Sequence, residues 1–216
     1  MKKEIIYLIT AAVTLLSAFA CITIYEQDES GHGKGNSSNG GAMRIDAKVE
    51  NGNPFVDDVR VLYSNHYNDP PIAYGKCENG RLLIDLPEIV RDRYLSNKWL
   101  DDFKYSFDGI YSDINAGFVA PSIVGYRLNE AIRVFELKSL TSELGDALYI
   151  FWDRDLTIKG TNNFFPATVT FDCSFKMGWN LLYRTWSLDQ RGNPTNVLYS
   201  TQKPSNLTLG WFWDKW

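Results

Sequence analysis

Apolar and polar residues alternate with a period of two along much of the chain from Met43 onward. Ile45, Ala47 and Val49 alternate with charged residues, and the segment 168–175 keeps its apolar and polar residues on separate sides throughout. Successive side chains of a β-strand point to opposite faces, so this alternation is typical of strands with one buried face. The pattern therefore predicts a domain built mainly from half-buried strands.

Two segments depart from this alternation. Residues 148–152 are all apolar, which favours a central strand that is covered on both faces. Residues 87–97 begin with a proline and carry apolar residues at helical spacing, which predicts a helix. Many short strands, turn sequences such as Asn79-Gly80 and at most one short helix predict an all-β fold. We expect an antiparallel β-sandwich, which includes the case of two packed β-subdomains, with a β-barrel as the alternative.

Residues 1–20 have the organisation of a secretory signal peptide. A short basic start precedes an uncharged segment, 5–25, and Ala18-Phe19-Ala20 lies directly before Cys21. That ending resembles the lipobox of bacterial lipoproteins, which implies that Cys21 becomes the acylated first residue. Cleavage without lipidation and an uncleaved membrane anchor are the alternatives. In all three cases the positive flank is N-terminal, so we expect the rest of the chain outside the cytoplasm.

A Gly- and Ser-rich segment follows the predicted cleavage site. Residues 26–42 contain no large apolar residue, so no burial offsets the entropy that would be lost on ordering them. A flexible linker of this length spans about 23 Å. We therefore expect residues 21–42 to be a lipidated N-terminus and a flexible tether. The domain would then be exported and held in the cell envelope, anchored to the outer membrane.

The net charge limits the classes of partner, and the number of cysteines limits the disulfide bonds that the domain can form. A net charge of −4 and a pI near 5.2 argue against nucleic acid as a partner, because proteins that bind it need a basic surface. Three cysteines are too few for a disulfide-built scaffold. Cys173 shares the apolar side of the segment 168–175, so we predict that Cys77 and Cys173 are separate buried thiols. A disulfide between them is the alternative.

The sequence contains few signs of catalysis. His66 lies in a polar stretch that predicts a surface loop, and no nucleophile, zinc or phosphate-binding motif occurs. We therefore expect no catalytic residues, no metal site and no cofactor. A glycan hydrolase with two carboxylates is an alternative, as is a calcium ion at Asp153 and Asp155. The candidate carboxylates are Asp101, Asp102, Asp108, Asp113, Glu130, Glu136, Asp153 and Asp155.

Aromatic residues make up 14% of the chain and include seven tryptophans. Tyr and Trp combine a flat apolar face with a polar edge, which suits recognition of sugars or peptides. The candidate ligand-binding residues are Trp211, Trp213 and Trp216, close to the C-terminus. In a strand, Trp211 and Trp213 share a face with Leu207 and Leu209. They therefore either extend the core or form a flat platform about 7 Å long.

Five short segments carry a resemblance that extends over nearly the whole exported part. They are 50–52, 79–82, 148–160, 176–180 and 201–205. Through them the chain resembles a Bacteroidetes family of exported lipoproteins of uncharacterised function. Residues 52–54, 59–61 and 79–84 also resemble the strand and turn order of prealbumin-like modules of the carboxypeptidase regulatory-domain type. The resemblance implies a prealbumin-like β half over 43–97 and a second β half, 98–216, that packs on it.

These features favour a membrane-tethered extracytoplasmic binding or interaction lipoprotein without catalytic activity. We expect the protein to bind the membrane through its N-terminal lipid anchor. The expected ligand is a glycan, a peptide or another envelope protein. A glycan hydrolase with paired carboxylates is the first alternative. A structural subunit of a surface assembly, which adds a strand at a sheet edge, is the second.

The lipid anchor is directly testable. Cells that express the full chain and grow on labelled fatty acid should incorporate label into the wild-type protein but not into Cys21→Ala, because acylation needs the cysteine at the cleavage site. Cys77→Ala is the matched control and should keep the label. Equal labelling of wild type and Cys21→Ala, or no label in the wild type, would contradict the anchor.

Overall fold

A computed structural model of the chain describes residues 43–63, 70–96, 108–113, 115–141, 144–164 and 167–215. The predicted signal peptide and tether, with Cys21, lie outside the described residues, as do His66, Asp101, Asp102 and Trp216. Across the described ranges, no helix has both the length and the apolar character that a membrane crossing requires.

The described residues form an all-β structure, which confirms the predicted fold class. The strands are β1 (Met43–Lys48), β2 (Asp58–Leu62), β3 (Ala73–Glu78), β4 (Arg81–Leu86), β5 (Asp108–Tyr111), β6 (Phe118–Val119), β7 (Ser122–Arg127), β8 (Glu130–Ser139), β9 (Gly145–Trp152), β10 (Leu156–Phe164), β11 (Ala167–Phe175), β12 (Gly178–Leu188), β13 (Pro194–Ser200) and β14 (Leu209–Lys215). The helix predicted over 87–97 is wrong, because the described part of that segment contains only a 3₁₀ turn, Asp92–Tyr94.

The strands belong to one large sheet. Its order is β1-β4-β3-β2-β7-β8-β9-β12-β13-β11-β10-β5, while β14 pairs with β8 and β6 pairs with β9. The strand pairs of the described residues are antiparallel except for β11 with β13. Within the described ranges this order does not close on itself, so the sheet is not the β-barrel alternative. The sheet instead packs its faces around hydrophobic cores, as in a sandwich.

Two main cores lie on opposite faces of β9. The first core is lined by β1 to β4, β7, β8 and β14, and Tyr149 and Phe151 of β9 point into it. The second core is lined by β10 to β13, and Leu148, Ile150 and Trp152 point into it. All five residues are buried. The prediction of a central strand covered on both faces is therefore confirmed.

The sheet continues across the boundary that the resemblance places at residue 97. Strand β2 pairs with β7 along its whole length, and an isolated bridge joins Val49 to Trp211. The first core likewise combines Ile45 and Leu82 from one side of that boundary with Phe135 from the other. The segments 43–97 and 98–216 therefore share strand pairing and apolar burial.

Strand β1 lies at one end of the sheet order and has a charged outer face. Arg44, Asp46 and Lys48 are exposed, and Asp46 pairs with Arg81 of β4. Charged residues on an edge strand discourage pairing with a further strand. This edge therefore gives no support to the alternative of a structural subunit that grows by strand addition.

The two cysteines of the domain are free and buried, as predicted. Cys77 lies in the first core and Cys173 in the second. Burial raises the pKa of Cys77 to about 11 and that of Cys173 to about 12, so both thiols stay protonated at neutral pH. They act as small apolar side chains of two different cores.

The position of Trp211 predicts a large contribution to stability. Because its ring is fully buried in the first core, Trp211→Ala should lower the free energy of unfolding by about 3–5 kcal/mol in urea or guanidinium titrations. Tyr74→Ala is the matched control, since Tyr74 is mostly exposed, and its effect should stay within about 0.5 kcal/mol. A Trp211→Ala variant as stable as the wild type would show that the ring is not part of the core.

Candidate functional site

The two described tryptophans of β14 have different surroundings. Trp211 is 0% exposed and packs its ring edge-on against Phe135, with 6.4 Å between the ring centroids. Trp213 is half-buried beside the same core, and the guanidinium carbon of Arg133 lies 4.5 Å from its ring centroid. One ring is buried and the other is covered by a cation, so the pair does not form a flat exposed platform. The third candidate, Trp216, lies outside the described residues.

The side chain of Asn51 joins the β1–β2 loop to β14. Its Nδ2 donates to the Trp213 carbonyl oxygen at 2.7 Å, and its Oδ1 accepts from the Trp213 N–H at 3.0 Å. The Trp213 Nε1 donates to the Gly52 carbonyl oxygen at 3.2 Å, and the Glu50 N–H donates to the Trp211 carbonyl oxygen at 2.6 Å. The Asn51 amide thus pairs with β14 as the backbone of a neighbouring strand would. We call these contacts the Asn51 latch.

Three connections meet at the end of the sheet where β1 ends. The β1–β2 loop is bonded to the β3–β4 turn, because the Val49 N–H donates to the Gly80 carbonyl oxygen at 2.7 Å. The same loop is bonded to the β7–β8 turn, because the Leu128 N–H donates to Asp57 Oδ2 at 2.8 Å. The loops therefore form one surface. We call it the distal loop face, and it consists of 50–57, 79–80 and 127–130 together with Trp213.

The distal loop face lies opposite the point where the chain enters the domain. Strand β1 begins at Met43, which pairs with Leu86, and ends at Lys48, which pairs with Arg81 beside the β3–β4 turn. At a rise of about 3.3 Å per residue, the two ends of β1 are about 16 Å apart. The chain that precedes Met43 therefore joins the domain at the end away from this face.

The backbone of the distal loop face is strained at two bulky residues. Among the described residues, the non-glycine residues with positive φ are Phe55 at 54°, Asn79 at 53°, Leu128 at 51° and Asn129 at 66°, and all lie on this face. Asparagine tolerates the left-handed region, whereas for other L-residues it costs about 1–2 kcal/mol. Successive left-handed residues at Leu128 and Asn129 form the tight turn that matches the twist of a β-hairpin.

The strained residues are also strongly exposed. The side chain of Phe55 is 72% exposed and that of Leu128 is 84% exposed. Neither side chain gains the burial that would offset its backbone strain within the isolated domain. Strained backbone and exposed apolar side chains both concentrate at functional surfaces, and here the two features coincide. The distal loop face is therefore the candidate functional site.

Four ion pairs lie around this face, and the two exposed charged residues of the β7–β8 hairpin, Arg127 and Glu130, have opposite signs. The pairs are Lys48 with Glu50, Arg60 with Asp58, Lys76 with Glu78 and Arg81 with Asp46. The carboxylate of Asp57 is bonded to the Leu128 N–H. Asn53, Asn79 and Asn129 are exposed between these pairs. The face thus presents apolar side chains and amides rather than charge of one sign.

A second group of polar side chains lies on the side of β8 and β14 opposite to Trp211. Lys138 contacts Glu136 on its own strand and Asp214 on β14, with Nζ 2.8 Å from Asp214 Oδ2. In the neighbouring strands Arg184 binds both carboxylate oxygens of Asp146, with Nε 2.9 Å from Oδ1. Because Asp146 is the register partner of both Lys138 and Arg184, the five residues are contiguous. We call them the charged cluster.

Glu136 is the most perturbed carboxyl group of the charged cluster. Burial raises the pKa of Glu136 to about 7, and the hydrogen-bonded Asp214 and the charge of Asp146 act in the same direction. Lys138 is half exposed and shared with Asp214, whose pKa it holds below the ordinary value. Glu136 and Asp214 are in direct contact, whereas a glycosidase keeps its carboxylates about 5–10 Å apart around the sugar. This pair therefore gives no support to the glycan hydrolase alternative.

Three further candidate carboxylates, Asp113, Asp153 and Asp155, are held by cations. Arg154 Nε lies 2.9 Å from Asp153 Oδ1, and Arg154 Nη1 lies 3.2 Å from Asp113 Oδ2. Lys176 Nζ lies 2.7 Å from Asp155 Oδ2 and holds the pKa of that carboxyl below its ordinary value. In the described part of the chain, no three His, Cys, Asp or Glu residues cluster as metal ligands would. The calcium alternative at Asp153 and Asp155 has no support. Asp108 and Glu130 are exposed at strand ends.

Sequence reasoning missed Phe55, Leu128 and Asn51. A single exposed Phe or Leu is common on protein surfaces, and the pattern of apolar residues carries no information on backbone φ. The one usable signal for Leu128 is that Asn129 lies between two strand patterns, since asparagine is frequent in tight hairpin turns. The role of Asn51 depends on β14, which is distant in sequence.

Comparison of the chain with protein-family models, with curated proteins and with solved structures gives no match. The resemblance to exported lipoproteins therefore stays a prediction.

The strain at Leu128 gives a stability prediction with an unusual sign. Leu128→Gly should raise the free energy of unfolding by about 0.5–1 kcal/mol, because glycine adopts a φ of 51° without steric cost and the exposed side chain contributes no packing. Arg127→Gly in the same hairpin is the control, and it should lower the free energy of unfolding by a similar amount. If both glycine variants are destabilised equally in denaturant titrations, Leu128 is not strained.

Proposed function

We propose that the protein is a membrane-tethered extracytoplasmic binding module that docks on another envelope protein through its distal loop face. The observation that carries the proposal is the position of Phe55 and Leu128. Both are strained and exposed, and both lie at the end of the domain opposite to Met43. No catalytic residue is part of this proposal.

The position of the predicted tether supports this arrangement. A lipid on Cys21 and a flexible segment to residue 42 would hold the domain about 23 Å from the membrane. Because the chain enters at Met43, the distal loop face lies at the end of the domain remote from the point where the tether is attached. An apolar face in that position is available to a partner that approaches from the other side, and the anchoring membrane itself does not cover it.

The chemistry of the face favours a protein over a glycan or a charged polymer. Sugars stack on free aromatic faces, but the Trp213 ring lies under Arg133, so among the described residues of this face the free ring is that of Phe55. Leu128 is aliphatic and gives a sugar no ring to stack on, whereas the buried core of a protein interface is apolar and accepts both a leucine and a phenylalanine. The neighbouring ion pairs leave no excess charge to attract an anionic membrane or nucleic acid. Phe55 and Leu128 are the two anchors of the proposed interface.

Crosslinking in cells tests the proposal. A photo-reactive phenylalanine analogue is introduced at position 55 or 128 of the full chain, and at positions 110 and 177 as controls, because Ile110 of β5 and Met177 between β11 and β12 are exposed and are not part of this face. Positions 55 and 128 should give the same discrete protein adduct, and the control positions should not. No adduct from the face, or equal adducts from all four positions, would contradict the proposal.

Binding of the identified partner gives the quantitative prediction. Phe55→Ser combined with Leu128→Ser should weaken the affinity for the purified adduct protein at least about thirtyfold, which corresponds to the loss of about 2 kcal/mol or more at an interface anchor. The free energy of unfolding should stay within about 0.5 kcal/mol of wild type, because neither side chain is packed. Met177→Ser, at an exposed residue between β11 and β12, is the matched control. Unchanged affinity of the double variant would show that the partner binds elsewhere.

A further inference from the structure

We infer that the Glu136–Asp214 carboxyl pair controls how firmly β14 holds the distal loop face, and that the face is therefore ordered in mildly acidic surroundings and loosened in alkaline ones. The inference concerns regulation and rests on the docking role proposed for that face. Its structural basis is that β14 carries Asp214 on one side and the Asn51 latch along its edge.

Asp214 and the contacts of the Asn51 latch are adjacent on β14. Asp214 follows Trp213, and the backbone N–H and carbonyl of Trp213 are both bonded to Asn51. Trp213 Nε1 is bonded to Gly52, three residues before the strained Phe55. The other edge of β14 pairs with β8, where Phe212 lies opposite Glu136. A change in the attraction between Glu136 and Asp214 therefore acts on the strand that anchors the loop.

Four charged groups face Glu136. They are Lys138 on β8, Asp214 on β14, Asp146 on β9 and Arg184 on β12. Arg184 is engaged by both oxygens of Asp146, and Lys138 is shared between the two carboxyls of the pair. With Glu136 protonated the cluster is neutral, and the Glu136 hydroxyl can donate to the Asp214 carboxylate. With Glu136 ionised the cluster carries one excess negative charge in a site where the Glu136 side chain is only 12% exposed.

The direction with pH follows from linkage. The pKa of Glu136 rises from 4.5 to about 7 in the folded protein, so the folded state binds this proton more tightly than the unfolded state does. The contribution of Glu136 to stability is fully present below its ordinary pKa and is lost as the pH rises through about 7. The pKa of Asp214 is lowered by Lys138, so Asp214 remains ionised across this window.

Hydrogen exchange on the full-length protein tests the inference. Exchange is followed by mass spectrometry about one pH unit below and one pH unit above the pKa of Glu136. The measured rates are corrected for the pH dependence of the intrinsic amide exchange rates. In the wild type, protection of β14 and of residues 49–57 should fall about tenfold between the lower and the higher pH. The protonated fraction of Glu136 falls by about that factor between the two conditions. Amides of β11 that exchange by local opening should keep their protection, because such an opening in the other core leaves Glu136 in its folded surroundings.

Variants assign the effect to the pair. Glu136→Gln keeps a donor to Asp214 and should remove the pH dependence, while Asp85→Asn, an exposed carboxyl of β4 outside the distal loop face, should leave it unchanged. Asp214→Asn removes the facing negative charge and should move the loss of protection to lower pH. Protection in the wild type that is independent of pH, or a fall that persists in Glu136→Gln, would overturn the inference.

The outcome is separable from that of the proposed function. The exchange experiment uses the isolated protein and needs no partner. If β14 loosens as expected but the crosslinking partner binds equally at both pH values, the regulatory role is overturned and the docking role stands. If no partner is found, the docking role fails, and with it any regulation of docking, although the exchange result still reports on β14.

Discussion

Strand β9 separates the two main cores, and its successive side chains point alternately into one core and into the other. Tyr149 and Phe151 pack in the first core, whereas Leu148, Ile150 and Trp152 pack in the second. Because the side-chain period of a strand is two, a slip of one residue would send every one of these side chains to the wrong core. The register of β9 with β8 and β12 is therefore strongly specified, and the positions of the outer strands follow from it.

The burial around β9 allows strain to persist at the end of the sheet. A left-handed backbone at Phe55 or Leu128 costs about 1–2 kcal/mol, while a single buried ring such as Trp211 contributes about 3–5 kcal/mol. The hydrogen bonds that hold the strained loops end on well-packed strands, since Leu128 is bonded to Asp57 beside β2 and Asn51 to Trp213 of β14. The core is therefore large enough to hold two bulky residues in a conformation that neither would adopt alone.

The alternation of apolar and polar residues predicts the strands and the double burial of 148–152, because that pattern is a direct consequence of strand geometry. It fails at 87–97, where Val90 and Tyr94 pack on the first core from a chain with only one 3₁₀ turn and Ile89 is exposed. Helical spacing of three residues was too short a pattern to decide that segment. The candidate site was not predictable in the same way. The backbone φ of Phe55 and Leu128 cannot be inferred from the periodicity of apolar residues. The pairing of Glu136 with Asp214 depends on β14 lying beside β8, which is distant in sequence.

Strand β14 combines three constraints that no other described strand combines. Its inward side places Trp211 in the first core, its outward side places Asp214 against Glu136 and Lys138, and its edge is bonded to Asn51. Because Trp211 is fully buried, the strand cannot rotate to relieve repulsion at Asp214 without disturbing the core. Repulsion there is therefore relieved at the C-terminal part of the strand, where Trp213 is only half-buried, and this is the part that holds the loop with Phe55. The same burial that fixes the start of β14 thus directs any loosening toward the distal loop face.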